Sequence, residues 1–158
     1  MRKFIVFALV ATLFGCTQSK PVFSRFVDKE WGTVGLLPGW IIESEDGQNI
    51  ALRSKDEVFL KVFITAVDKP SDIQGFVKSQ MELTGRVFDS VRESTINDQK
   101  VTSYKATAQH GKKILEEELY LFDIGEKILA VNGSTPSESK SKNQVQQTIE
   151  SVTIKGGK

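Results

Sequence analysis

The sequence predicts an α+β domain: an antiparallel β-sheet of about six to seven strands packed with helices on its faces. Three observations lead there. Short β-branched and aromatic runs recur along the chain, separated by turn signals such as Asp46-Gly47, Asn97-Asp98 and His110-Gly111. Only two segments carry apolar residues at helical spacing, one near residues 72–84 and one near the C-terminus. The chain has 158 residues, 39% of them hydrophobic and 26% charged, which suits one globular domain and is too short for two ordinary ones.

Taken in order, Val22 to Val27 and Trp31 to Leu37 read as two short strands. Leu37-Pro38-Gly39-Trp40 is a turn, because Pro presets φ and Gly accepts φ > 0. Ile41 and Ile42 restart a strand that ends at Asp46-Gly47, and Asn49 to Arg53 returns as its hairpin partner. Val58 to Val67 (VFLKVFITAV) is apolar on both alternating faces, so it is expected to be a central strand covered on both sides. Ser71 is the expected N-cap of an amphipathic helix over 72–84, with Asp72 near its positive end, Ile73, Phe76, Val77 and Met81 on its apolar face, and Gly85 as its stop. Arg86 to Val91, Lys100 to Gln109, Lys112 to Phe122 and Lys127 to Val131 are further strands, the last three forming a meander that closes at Asn132-Gly133. Ser137 or Ser139 is expected to cap a terminal helix with Val145, Thr148, Ile149 and Val152 on one face, ended by Gly156-Gly157.

This order of elements resembles the PsbP/Mog1-like superfamily. The residues carrying the likeness are Leu37-Pro38-Gly39-Trp40, Val58 to Val67, the helix through Met81, and Ile96 to Asn132 with Tyr104, Tyr120 and Ile149-Glu150-Ser151. It spans roughly residues 31–154. The chain departs from the superfamily at Asp98-Gln99, where members carry a Gly before the first meander strand. The resemblance implies an antiparallel sheet packed between helices. No single activity follows from it, since members range from photosystem assembly factors to small-GTPase binders and envelope lipoproteins.

The first sixteen residues, MRKFIVFALVATLFGC, hold an address. Arg2 and Lys3 precede an uncharged run from Phe4 to Phe14. As a helix that run reaches about 17 Å, short of the ~30 Å hydrocarbon core, so it is a secretory signal rather than a membrane span. Leu13-Phe14-Gly15-Cys16 resembles the bacterial lipobox, with Leu13 three positions before the Cys and the small Gly15 directly before it. The resemblance implies cleavage between Gly15 and Cys16 and lipidation of Cys16, the chain's only cysteine. Residues 1–15 are then signal peptide, 16–30 the lipidated Cys and a tether, and 31–155 the domain. Two or three acyl chains hold a protein firmly at a bilayer. Thr17 points to the outer membrane facing the periplasm, because an Asp after the Cys resembles the inner-membrane retention signal.

Charge and composition narrow the function classes. Of 21 basic residues two leave with the signal, so 19 face 20 acidic ones in the mature chain, and no basic field draws it to nucleic acid. One Cys and one His argue against a metal centre of the usual ligand types and against an internal disulfide. His110 stands in a hairpin turn; a general base needs an orienting partner and a pocket, so the residue is read as exposed. Glu116 and Glu118 share a strand face about 7 Å apart. That spacing suits glycoside chemistry or a hard cation, but it is read as a wet sheet face opposed by Lys100, Lys105 or Lys127. Trp40, beside Ile41 and Ile42, is expected in the core, whereas Trp31 is open between core and partner stacking. No G-x-S-x-G or complete dinucleotide loop is present.

The expected function is therefore that of a non-enzymatic envelope lipoprotein without cofactor, anchored to the membrane through lipid and binding an envelope protein as an accessory or assembly factor. One alternative is a periplasmic inhibitor or immunity protein. Another is a carrier of a small hydrophobic ligand, which demands an empty apolar cavity between sheet and helix.

Overall fold

The computed structural model describes residues 20–155. The chain first lays down two short strands, β1 (Arg25–Lys29) and β2 (Gly32–Leu36), which pair antiparallel. β3 (Trp40–Glu45), β4 (Asn49–Ser54) and β5 (Lys61–Asp68) follow as a meander, then α1 (Ile73–Leu83). A second meander consists of β6 (Val87–Ile96), β7 (Gln99–His110), β8 (Lys113–Asp123) and β9 (Lys127–Pro136). α2 (Lys142–Glu150) and the two-residue β10 (Thr153–Ile154) end the fold. The large sheet has seven strands in the order β3-β4-β5-β9-β8-β7-β6, joined where β5 pairs antiparallel with β9. Its two edge strands, β3 and β6, each carry a register shift, at Ile42/Ser44 and at Phe88/Ser90.

Two apolar clusters lie on opposite faces of that sheet. The larger joins Val62, Ile64, Leu129, Val131, Tyr120 and Phe122 to Val145 and Ile149 of α2 and to Val34 and Leu36 of β2. The smaller joins Val77 and Met81 of α1 to Tyr104, Leu121 and Ile128. The layer order is thus small sheet with α2, large sheet, α1. Strand alternation enforces it, because neighbours such as Leu129 and Ala130 must point to opposite faces.

The predicted α+β architecture is present, with several local differences. A second sheet, β1-β2-β10, was not expected; it makes β1 part of the fold although it precedes residue 31. β5 begins at Lys61, since Leu60 turns back to donate to Glu57 O at 2.9 Å and leaves Val58 exposed. The N-cap of α1 is Asp72 rather than Ser71: its Oδ1 accepts from Gly75 N at 2.9 Å. α1 does stop at Gly85, whose φ of +69° permits Arg86 N to donate to Met81 O and Gly85 N to Glu82 O. Asn132-Gly133 is not a turn. β9 runs through it, because bare Gly133 lets α2 approach: an added Cβ would stand 2.6 Å from Val145 Cγ1. α2 is preceded by Ser141 with no side-chain cap bond, and it ends at Ser151. Gly156-Gly157, the expected stop, lies outside the described residues.

Candidate functional site

β5 holds the departure that matters. Val62, Ile64 and Ala66 are buried on one face, as a central strand requires. On the other face Val67 packs against the α1 cluster, whereas Phe63 remains 43% exposed. Between the helix and the uncovered part of the sheet lies a half-open cavity of about 200 Å³. Phe63, Met81, Tyr104, Leu119 and Ala130 supply its apolar lining.

Its polar rim is built by the end of α1. The turn at Gly85 directs the chain so that Arg86 pairs with Glu117 of β8, through Nε to Oε2 and through NH2 to Oε1 at 3.4 Å. The Glu117 side chain is only 9% exposed, so this pair is half-buried and fixed in place. Thr84 Oγ1 donates to Gln80 O at 2.7 Å, and Thr65 Oγ1 donates to Asn49 Oδ1 on the sheet side. Tyr104 forms the inner wall toward β6; burial and the nearby Asp72 carboxylate push its phenol above the ordinary range. It therefore stays neutral. Leu83, 77% exposed, and Phe76, Val87, Phe88 and Val91 surround the helix and the β6 edge with further apolar surface.

The residues singled out from sequence lie elsewhere. His110 is at the β7–β8 hairpin, exposed, with its ring 5.0 Å from Phe59. The three glutamates separate by face. Glu116 accepts from Lys142 of α2 at 2.7 Å, and Glu118 pairs with its cross-strand neighbour Lys105 at 3.6 Å. Glu117 points to the opposite face and the cavity rim. Of the expected counter-cations only Lys105 serves: Lys100 stands opposite Thr95 and Lys127 opposite Asp68. Glu118 and burial together raise the Tyr120 phenol, burial being the larger cause; its hydroxyl donates to Gln146 Oε1 at 2.9 Å. Trp40 is buried as expected, with Nε1 donating to Gln144 Oε1 at 2.9 Å. Trp31 is also buried, its Nε1 donating to Gln48 O at 3.1 Å, which leaves no exposed ring for stacking. Among the described residues no three His, Cys, Asp or Glu side chains cluster to hold a metal. Gly15 and Cys16 lie outside the described residues.

No protein-family model matches this sequence, and no curated protein does. Solved structures do match its backbone. Cyanobacterial PsbP (CyanoP) from Synechocystis superposes with a TM-score of 0.62 at 11% identity, over 82% of this chain and 91% of that one. Mog1p, the Ran-binding protein of Saccharomyces cerevisiae, gives 0.57 at 12% identity, over 82% and 94%. The fold is PsbP/Mog1-like. A Bacteroides thetaiotaomicron protein gives 0.58 at 13% identity over 78% of this chain, which spans only 45% of that protein's length. Identities this low carry the fold alone.

Within this PsbP/Mog1-like fold, sequence reasoning overlooked the cavity because its parts are dispersed. Phe63, Met81, Tyr104 and Glu117 come from four elements and Arg86 from the turn after α1. One signal was legible: β5 is apolar on two faces, yet the chain has too few helical segments to cover both faces of a seven-stranded sheet.

Proposed function

We propose that this protein is a non-enzymatic accessory factor of the bacterial envelope, anchored through lipidated Cys16 and binding another protein at the cavity beside α1. The observation that carries the reading is the uncovered face of β5: Phe63 exposed next to an apolar cavity whose rim is a fixed Arg86–Glu117 pair. A monomer gains nothing from leaving this surface wet, whereas interfaces concentrate their binding energy in small desolvated sockets filled by an aromatic or aliphatic anchor. Small-ligand pockets commonly enclose about 300–1,000 Å³. A cavity of about 200 Å³ is below that range and suits one inserted side chain better than a carried lipid. That Mog1p is a Ran-binding protein agrees with a protein-binding use of this fold. The periplasmic inhibitor is the same reading with a different partner.

A photo-crosslinking amino acid at Phe63 or Leu83, irradiated in intact cells, is expected to trap one dominant protein. The same probe at Asn143, exposed on α2, should not trap it. Equal labelling from all three positions, or none, refutes the site. The partner's own activity distinguishes assembly factor from inhibitor. Separately, Cys16→Ser should release the protein from membranes, and unchanged attachment refutes the anchor.

A further inference from the structure

The described fold begins with a second apolar surface, remote from the cavity. Val22 is 76% exposed and Phe26 58% exposed, and the Phe23 and Phe26 rings stand 5.3 Å apart. Phe23 lies over bare Gly35, where a Cβ would come within 2.4 Å of its ring. Ser24 pins this segment to the fold: its N and its Oγ both donate to Leu36 O at 2.8 Å. Phe23, half-buried against the main core, therefore holds the exposed Phe26 ring in place on the small sheet's outer face. Val34, on the opposite side of β2, is fully buried in the main core. Lys20 and Arg25 are exposed nearby, Arg25 on the alternate face of β1, while Asp28 shares the face of Phe26 and pairs with Lys155 at 2.8 Å.

We infer that the outer face of the small sheet, through the exposed Val22 and Phe26 backed by the half-buried Phe23, rests against the lipid bilayer, so that the α1 cavity opens away from the membrane. The inference rests on the lipid anchor proposed above. Its occupant follows from chain length. Three residues lie between Cys16 and Lys20, and the four Cα-to-Cα steps span at most about 14 Å. Whatever their conformation, the lipid-bearing Cys holds this edge within that distance of the headgroups. Exposed Val22 and Phe26, bordered by Lys20 and the Asp28–Lys155 pair, match the boundary between headgroups and acyl chains. The layer order does the rest. The small sheet and α2 cover one face of the large sheet and α1 the other, so a bilayer under the first leaves the second facing the aqueous compartment.

The test uses the lipidated full-length chain in phosphatidylethanolamine/phosphatidylglycerol vesicles. The thioether consumes the Cys16 thiol, so Val22→Cys, Phe26→Cys and Leu83→Cys each offer one free thiol for a nitroxide. The ratio of collisions with oxygen to collisions with a water-soluble nickel chelate reports depth. Nitroxides at positions 22 and 26 are expected to give a ratio several-fold above that at position 83. Similar ratios at all three, in protein that floats with the vesicles, overturn the orientation and leave the anchor standing. Protein that lacks the mass of the bound lipid and does not float overturns the anchor, and the orientation with it.

Discussion

Gly133 offers a quantitative test of how α2 is seated on the sheet. Its φ is not in the left-handed region, so replacing it by Ala costs nothing in backbone conformation. The stiffer unfolded chain would by itself favour Ala by about 0.4–1 kcal/mol, so any net loss must come from packing. The new methyl would sit 2.6 Å from Val145 Cγ1 and 2.9 Å from Ile149 Cδ1, where carbon–carbon contact is comfortable only at about 3.5–4.0 Å. The Ile149 tip can rotate away, but Val145 is β-branched and stiff, so the helix must move. Overpacking of this kind costs about 1–3 kcal/mol. At a urea m-value of about 2 kcal/mol/M, Gly133→Ala should lower the unfolding midpoint by about 0.5–1.5 M. Val145→Ala removes two buried methyl groups and should cost about 2 kcal/mol alone. In the double variant it also clears the space that the new methyl needs, so the two costs should fall short of additivity by about 1 kcal/mol or more. Additivity within about 0.5 kcal/mol, or a silent Gly133→Ala, would refute the account of why β9 runs through this glycine.

Other outcomes follow from the same coordinates. The β6–β7 turn holds Asn97 and Asp98 at φ of 48° and 63°, so Asp98→Gly should raise stability by up to about 1 kcal/mol in urea melts. Asn97→Ala should lower it by about 1–3 kcal/mol, because Asn97 Nδ2 donates to Glu150 O at 2.9 Å and Val152 O at 2.7 Å and thereby ties the turn to the end of α2. Trp40→Phe removes the Nε1 bond to Gln144 and leaves a small cavity where the larger indole was buried, so a loss of about 1–3 kcal/mol is expected and a neutral result would argue against both that bond and the burial. Three carboxyls are held below their ordinary range: Glu43 chiefly by Lys61, Asp46 chiefly by Asn49 and Asp123 chiefly by Lys69. Their contribution is complete above the unfolded value near pH ~4 and is lost as pH falls through the lower folded values. Asp46→Asn should therefore lose less stability than wild type between about pH 4 and pH 2, and an identical acid limb would contradict the assignment.

Local chemistry was well encoded in the sequence. The Pro38-Gly39 turn forms as read, with Gly39 at φ +79° and Trp40 N donating to Leu37 O at 3.1 Å; Gly85 likewise ends α1. Each is decided by a few adjacent residues. What escaped depends on distant ones. Asn132-Gly133 has the composition of a turn, and only the presence of Val145 across the layer explains a glycine inside a strand. β10 is two residues long and pairs with β2 across the whole chain, too short to leave any periodicity. Trp31 could not be placed because its burial depends on the small sheet, which was itself unforeseen. The candidate site was legible only as an inconsistency: an apolar second face on β5 with nothing to cover it. Such conflicts between pattern and fold are expected where a surface is kept for binding.

The register shifts in β3 and β6 bear on how the sheet meets other copies of itself. An open sheet offers two unpaired edges, and on the proposed membrane anchor copies would share one plane, where encounters along those edges would be frequent. A bulge twists the strand and breaks the regular ladder that a neighbour would need for pairing. Here both edges are bulged, and β6 also carries Asp89, Arg92 and Glu93 along its length. Both edges of the sheet are thus poor templates for pairing with a second copy.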